Sequence, residues 1–99
     1  MPNFTCVLNL GNLPAEARRG QTVRTTVTVM GCSAPVGGVT IEAVDYGIRK
    51  KFRQIDETTF ELELPVPFLV PPGSYRYAVW AVSKTGEAAA RQQGTIVIR

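Results

Sequence analysis

Few side chains in this chain of 99 residues could do chemistry, and their spacing narrows the choice further. Histidine is absent, so the commonest general base, the commonest zinc ligand and the usual partner of a serine or cysteine nucleophile are missing together. Ser33, Ser74 and Ser83 have no activator in the sequence. Cys6 and Cys32 are too few for a four-ligand zinc site and are not spaced as a Cys-x-x-Cys redox pair. Gly31, Gly37 and Gly38 lack the Lys-Ser or Lys-Thr, and the following helix, that a phosphate-binding loop requires. A carboxylate pair for acid–base work stays formally open among Glu42, Asp45, Asp56, Glu61 and Glu63, but a lone small domain offers little concave surface for a pocket. The expectation is a protein that is not an enzyme and uses no cofactor.

Binding chemistry is better represented. Arg49-Lys50-Lys51-Phe52-Arg53 puts four cations in five positions. In an extended strand Arg49, Lys51 and Arg53 share one face, with Ile48, Lys50 and Phe52 on the other. A polyanion such as nucleic acid or an acidic glycan could use that row. Edge strands also carry Lys and Arg to discourage edge-to-edge aggregation. No aromatic row interleaves on the cationic face, and a net charge of +3 is mild, so edge protection leads and no specific nucleic-acid partner is expected. Glu61 and Glu63 could pair across to these cations. The adjacent acids Asp56-Glu57 read as turn residues.

The elements that must position these groups follow from composition and period. The chain is 44% hydrophobic and 19% charged, ordinary for a globular protein and unlike disordered, collagenous or coiled-coil sequences. Its length suits one domain spanning residues 1–99. The longest apolar runs are a few residues, far below the roughly 18 that span a bilayer, so no membrane insertion is expected. No basic-then-apolar leader follows Met1-Pro2, which leaves open both a cytoplasmic start and a trimmed secretory signal.

The dominant period is two, punctuated by Gly, Pro and Asn. Phe4 to Leu10 alternates and reads as a first strand, and Leu13 to Gly20 as a connector. Thr22 to Met30 sets Val23, Val27 and Val29 against Arg24, Thr26 and Thr28. After a Pro35-to-Gly38 turn, Val39 to Val44 alternates again. Ile48 to Gln54 reads as a fourth strand, followed by a hairpin connection at Asp56-Glu57-Thr58. Phe60-Glu61-Leu62-Glu63-Leu64 is apolar on one side and acidic on the other, stopped by Pro65 and Pro67. Pro71-Pro72-Gly73 leads into Ser74 to Ser83. After Lys84-Thr85-Gly86 a last strand runs to Arg99, with a bulge or bend at Gly94. Three alanines between Glu87 and Gln93 would suit a helix by propensity, but the stretch reads as the start of that strand. About seven antiparallel strands at turn spacings of about 8 to 12 residues imply an all-β, two-sheet sandwich.

Antiparallel pairing of the first two strands would bring Cys6 and Cys32 to one end. A bridge is geometrically compatible and would imply an oxidising compartment. The alternative also stands: Cys6 as a small buried apolar residue and Cys32 as a loop thiol.

Gly20-Gln21-Thr22-Val23 resembles the Gly-Asp-Thr-Val that opens the second strand of many bacterial immunoglobulin-like and fibronectin type III-like modules. Thr59 to Pro65 looks like their fifth strand, and Pro72-Gly73-Ser74-Tyr75 through Val82 like their Pro-Gly-Thr-Tyr sixth. The resemblance runs roughly from Ala15 to Ile98. It implies an immunoglobulin-like β-sandwich that serves as a spacer or adhesion unit in a secreted or cell-surface protein. Its partners would be neighbouring domains or a protein or glycan surface. The register it implies points Tyr75, Tyr77, Val79 and Ala81 inward and Arg76, Ala78, Trp80 and Val82 outward. An outward Trp80 beside Arg76 and Val82 is a platform that stacks on sugars or anchors a protein, with Tyr46 as a further contact. Against this stand a long neighbouring side chain, such as one from the last strand, or an adjoining module lying over Trp80, or an inverted register. Many relatives carry an Asp and then Gly-Asn after the sixth strand, and that Asp can help hold calcium. Here Ser83-Lys84-Thr85-Gly86-Glu87 sets a cation there, and no bound metal is expected. Two alternatives remain: a carbohydrate-binding module built on Trp80, and a self-assembling phage or intracellular structural subunit.

Overall fold

Alternation in sequence becomes alternation in depth. In β3 (Thr22–Met30) Val23, Thr25, Val27 and Val29 are buried, while Thr22 and Arg24 are exposed. The same pattern in β7 (Thr59–Pro65) buries Phe60 and Leu62 and turns Glu61 and Glu63 outward. These two strands pair antiparallel over Thr22↔Pro65 to Thr28↔Thr59. In the computed structural model, which describes residues 4–11, 15–45 and 47–99, they form the middle of one of two β-sheets. The other strands are β1 (Val7–Leu10), β2 (Glu16–Ala17), β4 (Val36–Ala43), β5 (Ile48–Lys51), β6 (Arg53–Gln54), β8 (Gly73–Ser83) and β9 (Gln92–Ile98). One sheet runs β1-β3-β7-β6 and the other β2-β9-β8-β4-β5. Among the described residues there is no helix, and the fold is an all-β sandwich. All pairings are antiparallel except β2 with β9.

The inner faces close over a main core in which Val27, Val39, Phe60 and Val79 are almost entirely buried. A smaller cluster of Ala17, Val23, Val66 and Ile98 seals the end where β3 begins. Burying a side chain the size of Phe60 contributes about 2–3 kcal/mol. Across the layers, the Gln92 side-chain amide donates to the Leu8 carbonyl at 3.1 Å, tying β9 to β1.

Several sequence expectations change, the Pro35-to-Gly38 turn among them, since Val36 to Gly38 already belong to β4. The run from Ile48 to Gln54 is two strands in two sheets: β5 pairs with β4, β6 pairs with β7, and Phe52 sits buried at the crossing with its N–H on the Val39 carbonyl. The connector before β3 contains β2, which lies parallel to the end of β9; Leu13 and Pro14 fall outside the described residues. The last strand starts at Gln92, because residues 87–91 leave the ladder after a single bridge between Ala88 and Val82. Gly94 is not a bulge: β8 and β9 pair without interruption from Gly73↔Ile98 to Val79↔Gln92. It is glycine because Tyr77 lies across it, and a Cβ there would come 2.3 Å from the Tyr77 hydroxyl. The irregularity falls instead between Val36 and Gly38. There a Cβ on Gly37 would stand 2.8 Å from the Ser83 carbonyl oxygen.

Candidate surface site

The outer face of the five-stranded sheet is fixed by register. Opposite pairs Thr40↔Trp80, Glu42↔Ala78, Thr40↔Lys51 and Glu42↔Arg49 put these six side chains on one side of β8, β4 and β5. Val79, Ala81 and half-buried Tyr77 lie in the core on the other side. Trp80 is therefore on the outer face, yet only 4% of it is exposed. It is covered by two guanidiniums: Arg91, with its carbon 4.2 Å from the ring centroid, and Arg49 at 5.4 Å. Both also hold Glu42, through Arg49 Nε to Oε2 at 3.0 Å and Arg91 Nη1 to Oε1 at 3.2 Å. The Glu42 side chain is only 13% exposed, whereas Arg49 and Arg91 keep 58% and 46% of theirs in solvent. Stacking and pairing together hold two planar cations in fixed positions above an indole. An open stacking platform at Trp80 is thus replaced by a cationic lid, because an arginine just before β9 reaches back over the ring.

Beside this lid run two depressions of about 390 and 620 Å³ that share Thr40, Lys51, Val82 and Gly86. Arg49, Lys50 and Arg91 border the first and Lys84 the second, and among the described residues no carboxylate lines either. Among the described residues Lys51 has no carboxylate within ion-pair distance.

Of the residues nominated by sequence, Trp80, Val82, Arg49 and Lys51 come together here. Two do not. Arg76 bonds Asp45 through Nε at 3.2 Å and Nη2 at 2.6 Å, which holds the Asp45 carboxyl below its ordinary value. Arg53 lies on the other sheet and pairs with Glu61 at 2.8 Å, since the chain changes sheets at Phe52. Tyr46 lies outside the described residues. Arg91, Thr40 and Glu42 were missed as site residues. Thr40 and Glu42 were legible, since both share a face with Arg49 and Lys51 once β4 and β5 pair. Arg91 was legible only as an unspecified long side chain from the last strand, because it precedes Gln92, where the pairing that would have fixed its direction begins.

The remaining nominated acids are also engaged. Glu63 pairs with Arg24 at 3.3 Å. Asp56 accepts the backbone N–H groups of Thr58 at 2.9 Å and Thr59 at 2.8 Å, which lowers its pKa. Each carboxylate nominated for acid–base chemistry therefore faces a guanidinium or loop amides rather than a second carboxylate. In the loop after β8, Glu87 donates its N–H to Ser83 Oγ at 3.0 Å and accepts the Thr85 hydroxyl at 3.3 Å.

At one end of the sandwich Cys6 and Cys32 are joined as a disulfide, S–S 1.98 Å. The flanking residues pair as well, with the Ser33 N–H on the Thr5 carbonyl at 2.9 Å and the Thr5 N–H on Ser33 Oγ at 3.0 Å. A scan against protein-family models finds no match to the chain, and a search of curated proteins finds none either.

Proposed function

We propose that this chain is a non-catalytic immunoglobulin-like interaction module of a secreted or surface-attached protein, and that it meets its partner with the outer face of the five-stranded sheet. The observation that carries the reading is the trough beside Trp80, where Arg49 and Arg91 are stacked and paired, Lys51 is left unpaired, and Glu42 is turned down beneath the two guanidiniums. Side chains already ordered lose little entropy on contact. The immunoglobulin-like assignment draws support from the strand order, with β1, β3, β7 and β6 in one sheet and β9, β8, β4 and β5 in the other. It draws support also from Tyr75, whose hydroxyl donates to the Pro71 carbonyl four residues upstream, at the corner where the chain enters β8. Immunoglobulin folds pin that corner in the same way. The disulfide favours an oxidising compartment.

A self-assembling subunit is less well served, since β5 is short, exposed along its length and cationic. The test is photocrosslinking in the producing cell from a reactive side chain at position 51, in the trough, and at position 26, on the opposite face. Discrete adducts from 51 alone support the reading; equal adducts from both, or none from 51, overturn it.

A further inference from the structure

Resting on that reading, we infer that the trough binds an acidic polysaccharide, a chain of uronate or sulfated sugars. Edge protection explains Lys50, which shares the inward side of β5 with Ile48 opposite Ile41 and Ala43. It does not explain Arg91, which lies on no edge strand, nor two guanidiniums stacked on one indole and tied to one carboxylate. That arrangement fixes the orientation of two forked donors while leaving about half of each in solvent. Forked donors suit carboxylate and sulfate oxygens. The unpaired Lys51 continues the row, and Lys84 lies further along in the adjoining depression. The charge therefore extends along a line rather than converging on a point, which suits a polymer better than a single ion.

Between the cations, Thr40 offers a hydroxyl, and Val82, Gly86 and Ala88 a small apolar ledge. Sugar rings present both hydroxyls and C–H faces to such a surface. Nucleic acid is the poorer fit, because single-stranded chains gain affinity by stacking bases on open aromatic rings. Among the described residues, the rings bordering the trough and the adjoining depression are Trp80 and Phe52, 4% and 7% exposed.

The experiment is an amide-resolved NMR titration of the oxidised protein at low salt with a heparin octasaccharide and an oligogalacturonate, run beside neutral dextran, polyuridylate and polyglutamate. The dispersed spectrum reports the folded sandwich independently of any ligand, so loss of glycan binding is distinguishable from loss of the module. Expected are shifts concentrated at Thr40, Lys51, Val82 and Ala88 to Arg91 with at least one acidic glycan. Lys51→Ala should weaken binding about fivefold, as for one charge-assisted contact, and Arg53→Ala, of equal charge but on the other sheet, less than twofold. The inference is overturned by no shifts with either glycan, by equal losses in the two variants, or by tighter binding of polyuridylate or polyglutamate.

Discussion

Among single residues, the one most at odds with its surroundings is Thr25. It lies on the buried side of β3 between Val23 of one core cluster and Val27 of the other, is 2% exposed, and its hydroxyl has no hydrogen-bond partner among the described residues. A buried hydroxyl without a partner costs free energy that an isosteric methyl does not. Thr25→Val should stabilise the fold by about 1 kcal/mol, raising Tm by about 4–8 °C in a thermal melt. Gly94→Ala should do the reverse, costing about 1–3 kcal/mol as the Tyr77 ring is pushed aside. The cost should shrink in a Tyr77→Val background, and a double-mutant cycle measures that coupling. Three exposed acids set the pH behaviour. Glu16, beside Arg99, Asp45, beside Arg76, and Asp56, on its loop amides, are all held below their ordinary values. A lowered carboxyl stabilises the fold above its ordinary pKa, about 3.9–4.3, and that stability is lost as pH falls through the lowered value. Tm should therefore hold from neutrality down to about pH 5 and fall below about pH 4. Asp56→Ala should lower Tm at pH 7 and make the acid slope shallower.

Among elements, the crossing from β5 to β6 is the joint on which both sheets depend. Phe52 is buried there and takes the Val39 carbonyl between two strands of four and two residues. Phe52→Ala should cost about 3–4 kcal/mol in denaturant unfolding, as for other large-to-small core changes. Lys50→Ile should instead leave an apolar edge on β5 and produce dimers or larger species in sedimentation runs. These elements also mark where reading from sequence stops. β3 and β7 were legible because one face is buried along nearly their whole length, so alternation and depth coincide. The β5 to β6 crossing was not, because period two looks the same whichever sheet a residue joins. The cover over Trp80 was legible as a long neighbouring side chain but not as Arg91, because the outward register of Trp80 follows from β8 while Arg91 is placed by residues 87–91, whose path is set by Ala88 on Val82 and the Ala89 N–H on the Ala81 carbonyl. Of the site, the cations of β5 and the ring on β8 could be named in advance, while their meeting required the pairing of β4 with both.

At the scale of the whole molecule, the disulfide joins residues 26 apart at one end of a body 41 Å long. Closing a loop of that size contributes about 3 kcal/mol by restricting the unfolded chain. Reduction should thus lower Tm by about 15 °C without changing the strand content seen by circular dichroism. The bridge has a mechanical consequence too. Tension applied between the two ends of the polypeptide passes from Cys6 directly to Cys32, so the backbone between them, with β1, β2 and all of β3, is bypassed. In single-molecule pulling, a reducing buffer should lengthen the unfolded contour by about 85–90 Å, the span of those 26 residue steps at about 3.5 Å each less the 4.1 Å already between the two Cα atoms.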